Sequence, residues 1–257
     1  MTARVDYDTI AHLYDERSRD HEVDAGLLAF LAARGANDGD GTVIVDVGCG
    51  TGKQMAANRA PLPKARLIGI DRSHAMLRIG RGRCPSARWL QADGPFLPLA
   101  SASVDYATNQ FSYPHIGRTG ALLAELLRVL KPGGRFVMTN IDPWSMGGWL
   151  IYRFFPAARQ RDYQDYLPIE RFVALMTTAG FENVHARRRE FTREEPLAGF
   201  LAFVSERHRA SQLMVISDAA YAAGIQRIRD LIRGDTRGDA VMTSEIGLVT
   251  ITGDKPA

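Results

Sequence analysis

Cysteine is scarce in this sequence of 257 residues. The two cysteines, Cys49 and Cys84, stand at no metal-ligand spacing, and none of the six histidines forms a zinc-like pair with a neighbouring cysteine, acid or histidine. So few thiols exclude a disulfide framework and favour a reducing compartment. We therefore expect a cytoplasmic protein with no bound metal.

Lysine is also scarce, and arginine carries almost all of the positive charge. The formal net charge is only +3 at pH 7, and the arginines are interspersed with acidic residues instead of forming a basic block. We therefore predict no nucleic-acid partner. Lysine occurs only at Lys53, Lys64, Lys131 and Lys255.

Long apolar runs are absent. The most apolar stretch, Met146 to Tyr152, stops at Arg153, whereas a membrane span needs about 20 apolar residues. The first residues are polar and include no signal-peptide core. With 46% hydrophobic and 24% charged residues, the composition is typical of a folded globular protein. We expect no membrane insertion.

Short apolar runs alternate with helical patterns from Thr42 to Ile141. Val43-Ile44-Val45 is apolar at consecutive positions, which suits a strand covered on both faces in a parallel sheet. The pattern predicts a doubly wound α/β domain, preceded by two helices between residues 7 and 34. Strands are predicted at 43–47, 66–70, 87–91, 104–109, 134–141, 182–190 and 240–252, and helices at 53–60, 73–82, 119–130, 167–179, 195–210 and 217–233.

A glycine loop follows the first predicted strand in Val45-Asp46-Val47-Gly48-Cys49-Gly50-Thr51-Gly52. Glycines at this point let a ligand approach the backbone, and the next helix offers free N–H groups. The spacing is shorter than the Gly-x-Gly-x-x-Gly of dinucleotide sites, whose third glycine serves close packing beneath a pyrophosphate. It favours S-adenosylmethionine, a nucleoside with an amino-acid tail, over NAD. A tight turn without any ligand gives the same pattern.

Two carboxylates follow the next two strands. Asp71 stands roughly 20 residues beyond the glycines, where a carboxylate can accept both hydroxyl hydrogens of a ribose diol. Asp93 follows the third strand, a place from which it could bind an adenine amino group. Acids and glycines at the ends of successive strands indicate an adenosine site.

The motifs and their order resemble the class I, Rossmann-like methyltransferases, in particular the small-molecule group that includes the ubiquinone and menaquinone biosynthesis methyltransferases. The resemblance extends from Tyr7 to about Arg189. It rests on Tyr7-Asp8-Thr9-Ile10-Ala11, Tyr14-Asp15, Val45 to Gly52, Ile70-Asp71, Ala92-Asp93 and Leu126-Leu127-Arg128-Val129-Leu130-Lys131-Pro132-Gly133-Gly134.

The resemblance implies a seven-stranded, mostly parallel sheet whose last strand, 240–252, is antiparallel. It also implies S-adenosylmethionine as the cofactor and S-adenosylhomocysteine as the product. The glycine loop with Asp46 would hold the methionine portion, and Tyr14 would close over the cofactor. Asn109 and Phe111 would lie beside the sulfonium. The implied cofactor residues are Tyr14, Asp46, Gly48, Cys49, Gly50, Gly52, Asp71, Arg72, Met76, Ala92, Asp93, Gly94, Asn109 and Phe111.

The sequence is then interpreted as one methyltransferase domain with additions. Residues 1–36 are predicted to form a helical lid, residues 42–141 the cofactor-binding core, and residues 142–166 and 191–235 insertions that wall the acceptor pocket. The first insertion is rich in aromatic residues, which also commonly pin a surface helix to a sheet. Its candidates for the acceptor pocket are Trp144, Trp149, Tyr152 and Tyr163.

His115 is the candidate catalytic residue because it follows the fourth strand, near the expected methyl group. Methyl transfer is an in-line displacement that depends on alignment. A hydroxyl acceptor also needs a general base, whereas a neutral amine or an activated carbon does not always need one. A single histidine in a loop is also commonly structural.

The leading hypothesis is methyl transfer to oxygen, nitrogen or carbon of a small organic acceptor in a capped pocket. One alternative is a non-catalytic module that binds an adenosine ligand or a protein partner on the same fold, and another is an NAD-linked oxidoreductase. Asn109 to Ser112 lacks the double proline and aromatic residue of DNA amino-methyltransferases. The acceptor, the methylated atom and the oligomeric state stay open.

Overall fold

The computed structural model describes residues 5–17, 21–235 and 240–257. Residues 1–4 and 18–20 of the predicted helical lid lie outside the described residues. The described helices are α1 (Tyr7–Arg17), α2 (Ala25–Ala32), α3 (Lys53–Arg59), α4 (His74–Arg83), α5 (Tyr113–Ile116), α6 (Thr119–Val129), α7 (Leu150–Phe154), α8 (Pro156–Asp165), α9 (Ile169–Ala179), α10 (Leu197–Ser205), α11 (Ser211–Met214) and α12 (Asp218–Gly234), with a 3₁₀ turn at Arg207–Arg209.

Within the described residues, seven strands form one sheet. They are β1 (Val43–Val47), β2 (Arg66–Asp71), β3 (Arg88–Gln91), β4 (Val104–Gln110), β5 (Leu130–Ile141), β6 (Glu182–Pro196) and β7 (Val241–Asp254). Their order across the sheet is β3-β2-β1-β4-β5-β7-β6. The pairs β1–β2, β1–β4, β2–β3 and β4–β5 are parallel, and one strand of the sheet is antiparallel. The predicted doubly wound fold is confirmed.

β5 begins four residues earlier than predicted. The Lys131-Pro132-Gly133-Gly134 segment, most of which lies between the predicted helix and the predicted strand, belongs to the strand because Leu130 pairs with Val104 before a shift in register. Gly133 has a φ of +70°, which is unfavourable for a residue with a side chain. This glycine allows the irregularity in the strand without ending it.

The predicted helix at 195–210 is interrupted. It becomes α10, the 3₁₀ turn and α11. The side chain of Arg207 donates hydrogen bonds to the carbonyl oxygens of Leu213 and Ile216. A side chain therefore satisfies these two backbone carbonyl oxygens, so the segment does not need the hydrogen bonds of one continuous helix.

The chain forms two compact units. The sheet unit comprises Asp6–Asn140, Glu170–Arg187 and Thr250–Ala257, and the insertion unit comprises Ile141–Ile169 and Arg188–Val249 together with Val5. No helix among the described residues combines the length and apolarity needed to cross a bilayer.

The insertion unit has its own apolar core. Phe154 and Phe200 pack with ring centroids 5.7 Å apart, and both are buried with aliphatic residues of α7, α10 and α12. A side chain at Gly224 would place its Cβ 2.2 Å from the ring of Phe155. α12 therefore depends on a glycine for its close approach to Phe155.

A buried polar pair lies beside this core. The hydroxyl of Tyr152 donates to Oδ2 of Asp162 at 2.6 Å. Burial raises the pKa of Asp162 to about 7, although hydrogen bonds from Tyr152 and Gln212 oppose the shift. Because the pKa in the folded state is raised, the stability that Asp162 contributes is present at acid pH and is lost as the pH rises through about 7.

We predict that Asp162→Asn becomes more stable relative to the wild type as the pH rises from about 5 to about 8, with a relative gain of about 1–2 kcal/mol. The amide keeps an acceptor for Tyr152 and does not ionise. Urea unfolding at several pH values measures the difference, and Asp218→Asn serves as an exposed-carboxylate control. A difference that does not vary with pH would contradict the assignment.

Candidate functional site

The order of strands reverses at β1 and β4. β1 pairs with β2 on one side and with β4 on the other. In doubly wound sheets the loops that leave the carboxyl ends of two such strands diverge and open a crevice. The glycine loop, Gly48–Gly52, follows β1, and the segment from Phe111 to His115 follows β4. Both segments line clefts at this edge of the sheet.

The three glycines of the loop all adopt a positive φ, of +76°, +52° and +74°, which favours glycine. Two of them are also required by packing. A Cβ at Gly48 would lie 2.1 Å from the hydroxyl of Ser112, and a Cβ at Gly52 would lie 2.3 Å from the ring of Trp89. At Gly50 a Cβ would meet nothing within 4 Å. The turn conformation therefore favours glycine at all three positions, packing also requires it at Gly48 and Gly52, and Gly50 faces open space.

Asp71, at the end of β2, fixes the loop. Its Oδ2 accepts a hydrogen bond from the Gly50 N–H at 2.9 Å, and its Oδ1 accepts one from the Ser73 N–H at 2.9 Å. Burial raises the pKa of Asp71, against the effect of these backbone hydrogen bonds. The sequence indicated a ligand contact for this residue but not its structural role.

The first cleft has an empty volume of about 640 Å³, which includes space open to solvent. It combines apolar side chains, among them Met76 and Ile116, with the carboxylates of Asp71 and Asp93. The predicted cofactor residues that line it are Tyr14, Gly48, Gly50, Asp71, Arg72, Met76, Ala92, Asp93, Gly94 and Phe111.

The second cleft has an empty volume of about 490 Å³. Its lining is more polar and carries both signs of charge, on Asp46 and on Lys53. The predicted residues Asp46 and Cys49 line only this cleft, whereas Tyr14, Gly48, Gly50 and Phe111 line both. Thr51, in the glycine loop that was predicted to hold the methionine portion, also lines this cleft. Four further lining residues were not predicted from the sequence, namely His21, Lys53, Gln54 and Gln110.

Asp46 is a buried carboxylate in the second cleft. Its Oδ1 accepts a hydrogen bond from the hydroxyl of Thr108 at 3.0 Å, because the two residues face each other in the β1–β4 register. Burial raises the pKa of Asp46 to about 7, and the charges of Asp71 and Asp24 add to the shift. A cation placed beside Asp46 would favour its ionised form.

Two predicted cofactor residues line neither cleft. Gly52 precedes α3 and packs on Trp89. Asn109 is fully buried, and its amide donates to the carbonyl oxygen of Val47 at 2.8 Å and to the hydroxyl of Ser112 at 2.7 Å. The prediction that Asn109 lies beside the ligand is not supported, because its amide braces the ends of β1 and β4.

His115 lies in the short helix α5, not in a loop as predicted. It lines the first cleft, and its Nε2 lies 3.1 Å from the hydroxyl of Tyr7. Tyr7 and Tyr14 are seven residues apart on α1, so they share one face of the helix, and both line the first cleft. Tyr7 belongs to a motif noted in the sequence, but its contact with His115 was not foreseen because that contact is long-range.

α1 is fixed to α4 at both ends. Oδ1 of Asp8 accepts hydrogen bonds from the Ser73 hydroxyl at 2.8 Å and from the Ala75 N–H at 2.9 Å. Arg83 forms an ion pair with Asp15 at 2.8 Å. These contacts hold Tyr7 and Tyr14 at the first cleft.

The four aromatic residues predicted for the acceptor pocket belong to the insertion unit. Trp144 stacks on Tyr163 with ring centroids 5.3 Å apart, and Trp149 meets the edge of Tyr152 at 4.8 Å. Trp144 and Tyr163 are exposed, whereas Tyr152 is buried. Their role toward an acceptor stays a prediction.

The described residues include no group of three or more histidine, cysteine or acidic side chains that could hold a metal ion. Cys49 and Cys84 are both free thiols and both buried. Burial raises the pKa of the Cys49 thiol well above its usual value, which leaves it a poor nucleophile.

Residues 44–134 match a family model described as a methyltransferase domain. The chain is 31% identical over 186 residues to the ubiquinone/menaquinone biosynthesis C-methyltransferase UbiE of Paracoccus denitrificans, and the match covers 63% of this chain and 72% of that relative. The chain belongs to the class I S-adenosylmethionine-dependent methyltransferases.

Other relatives of this methyltransferase differ in length. It is 33% identical over 175 residues to the biotin biosynthesis bifunctional protein BioHC of Cellvibrio japonicus, a match that covers 66% of this chain and 30% of that protein. The methyltransferase therefore spans about a third of this relative. The structure of Haemonchus contortus phosphoethanolamine N-methyltransferase 2 with S-adenosyl-L-methionine shares the fold, with a TM-score of 0.60, 20% identity and coverage of 97% of this chain and 57% of that chain.

We predict that Asp71→Asn destabilises the ligand-free methyltransferase by about 1–3 kcal/mol. An amide has one acceptor oxygen, so either the Gly50 or the Ser73 N–H would face an NH₂ group. Asp93→Asn is the matched control, because the Asp93 carboxylate accepts the Gly94 N–H of its own turn and no other N–H of the described residues. Urea unfolding compares the two variants, and equal stabilities would show that Asp71 does not brace the loop.

Proposed function

We propose that this methyltransferase transfers the methyl group of S-adenosylmethionine to a small organic acceptor. The proposal rests on two adjoining clefts. Their linings differ in polarity and charge, as do the nucleoside end and the amino-acid end of this cofactor. The first lining is largely apolar with carboxylates, and the second carries both signs of charge. Gly50 leaves open space where the clefts meet.

The first cleft suits the nucleoside. Each carboxylate oxygen of Asp71 accepts one backbone N–H, which leaves further lone pairs for ribose hydroxyls. Asp93 is exposed, so its carboxylate is accessible to the adenine amino group. Met76 is buried and presents an apolar surface for the purine ring.

The second cleft suits the amino-acid end. Asp46 provides an acceptor for the ammonium group, and Lys53 provides a cation for the carboxylate. A phosphate-bearing dinucleotide would place a further negative charge near Asp46 and Asp71, which is unfavourable. This argument disfavours the NAD-linked oxidoreductase.

The bound cofactor would supply an electrophilic methyl group on a sulfonium. The residues of the chain then have three tasks, which are to bind it, to exclude water and to receive a proton. Tyr7 and Tyr14 on α1 cover the first cleft, and the bonds of Asp8 and Asp15 hold that helix in place. Exclusion of water favours displacement by the acceptor over hydrolysis.

His115 is the proposed general base. The contact between its Nε2 and the hydroxyl of Tyr7, at 3.1 Å, fixes the orientation of the imidazole. A base is needed when the acceptor loses a proton, so the arrangement suits a hydroxyl group, an ammonium group or a carbon that loses its proton on methylation.

The remaining parts of the proposal concern the roles of the segments, the acceptor and the cellular location. Residues 1–36 would act as the lid, residues 42–141 as the cofactor core, and residues 142–166 and 191–235 as the acceptor insertions. An acceptor with an apolar or aromatic part suits Trp144, Trp149 and Tyr163, whereas Tyr152 is buried and bound to Asp162. The scarcity of cysteine supports a cytoplasmic location, and the interspersed charges argue against a nucleic-acid acceptor.

Calorimetry with S-adenosylmethionine, S-adenosylhomocysteine and NAD tests the proposal directly. We expect both sulfur ligands to bind at one site and NAD not to compete. Binding of neither sulfur ligand would contradict the proposal, and binding of NAD alone would favour an oxidoreductase.

We predict that the affinity for S-adenosylhomocysteine falls as the pH is lowered through about 7. The ammonium group of the ligand favours ionised Asp46, whose pKa of about 7 in the free protein means that protonation competes with binding below this pH. The loss is at most about tenfold per pH unit. Asp46→Asn keeps an acceptor for Thr108 and should bind weakly with little change between about pH 5.5 and pH 7.5. Calorimetry over this pH range measures the affinity of both proteins. An affinity of the wild type that does not change with pH would refute the prediction.

We predict that His115→Ala lowers turnover by about 100-fold or more while the affinity for S-adenosylhomocysteine stays largely unchanged. Tyr7→Phe should cause a smaller loss, because it removes the hydroxyl and keeps the ring. Release of S-adenosylhomocysteine with a panel of small phenols, alcohols and amines provides the assay. Unchanged turnover in His115→Ala would remove His115 from the mechanism.

A further inference from the structure

The helix α5, which carries the proposed base His115, is too short to hold itself in place. It has only four residues, Tyr113–Ile116, and a single turn gains little from its own hydrogen bonds. The side chain of Ser112, which precedes the helix, makes no capping hydrogen bond to it. Contacts with other elements therefore fix the position of His115 in the first cleft.

Asn109, near the end of β4, provides one such contact. Its Oδ1 accepts a hydrogen bond from the N–H of Tyr113, the first residue of α5, at 3.0 Å. The first N–H groups of a helix have no partner within the helix and are commonly satisfied by a side chain. Asn109 thus caps α5 from a neighbouring strand and ties the start of the helix to the sheet.

The amide nitrogen of Asn109 binds the other side of the cleft. It donates to the carbonyl oxygen of Val47, which precedes the glycine loop, and to the hydroxyl of Ser112. The Ser112 hydroxyl also lies 3.2 Å from the Val47 carbonyl oxygen, to which it donates. The N–H of His115 donates to the carbonyl oxygen of Ser112 at 3.0 Å. One fully buried amide therefore connects β4, the glycine loop and the turn that carries His115.

The chemistry of an amide suits this task. An amide has two N–H donors and one acceptor oxygen, and Asn109 uses both kinds of group at once. A carboxylate at this position would keep the acceptor for Tyr113 but would face the carbonyl oxygen of Val47 without a donor. An aliphatic side chain would leave both backbone groups without their partner, which is costly in a buried position.

We infer that Asn109 is a positioning residue for methyl transfer, which sets the place of His115 by fixing α5 to the glycine loop. The inference rests on the proposed function, in which His115 is the general base. Asn109 lines neither cleft, so it acts through α5 and not on a ligand. Misplacement of a reacting group by about 1 Å can lower the rate by about 100-fold, so a brace at this point affects turnover.

A double-mutant cycle on turnover tests the inference. We expect Asn109→Leu to lower turnover by about 10-fold to 100-fold at saturating S-adenosylmethionine, and His115→Ala to cost little more in that background, because the base is already displaced. Asn140→Leu is the matched control, since Asn140 is another fully buried asparagine of the sheet unit, and its effect should add to that of His115→Ala. If Asn109→Leu does not fold, Asn109→Asp, which keeps the acceptor for Tyr113, provides the same cycle with a smaller loss. Additive losses in the Asn109 cycle would overturn the inference.

NMR spectroscopy provides a second readout that needs no acceptor. Tyr7→Phe removes the hydroxyl that lies 3.1 Å from Nε2 of His115, so it should shift the ring signals of His115, which are assigned by their loss in His115→Ala. We expect the same substitution to shift them little in the Asn109 variant, because the contact is already lost. Equal shifts in both backgrounds would overturn the inference and leave the proposed function standing, since calorimetry with S-adenosylmethionine tests that function separately.

Discussion

The hydrogen bonds of Asp71 are the interaction on which the rest of the site depends. One oxygen holds Gly50 in the glycine loop and the other holds Ser73 before α4. Ser73 in turn donates to Asp8 on α1. One side chain at the end of β2 therefore connects the loop, the start of α4 and the helix that carries both tyrosines. The Asp71 carboxylate can accept both backbone N–H groups and keep lone pairs for a ligand, whereas a neutral amide has one acceptor oxygen and cannot.

The charges at the site are arranged for a cation. Asp46 is buried and Asp71 is half-buried, and burial raises the pKa of each carboxyl. The energetic cost of ionising them falls when a positive ligand group arrives, so part of the binding free energy comes from relief of an unfavourable charge. Each cleft holds one of these carboxylates, with Asp71 in the first and Asp46 in the second.

Much of the fold and the cofactor site could be predicted from the sequence because both depend on local patterns. Apolar runs locate β1 and β2, and the positions of Gly48, Gly50 and Asp71 follow from the ends of those strands. The contact of Tyr7 with His115 and the burial of Asn109 could not be predicted, because both depend on packing between segments about 60 or more residues apart. The short helix α5 was also missed, since a single turn gives no periodic pattern. The acceptor residues remain a prediction, because aromatic residues line both cores and pockets and their type does not distinguish the two.

A crystal structure with S-adenosylhomocysteine tests the central claim most directly. The account predicts adenosine density beside Asp71 and Asp93, an amino-acid end beside Asp46 and Lys53, and the sulfur between Tyr14 and Phe111. Density for the ligand with its ends exchanged, or at a site away from the glycine loop, would contradict it.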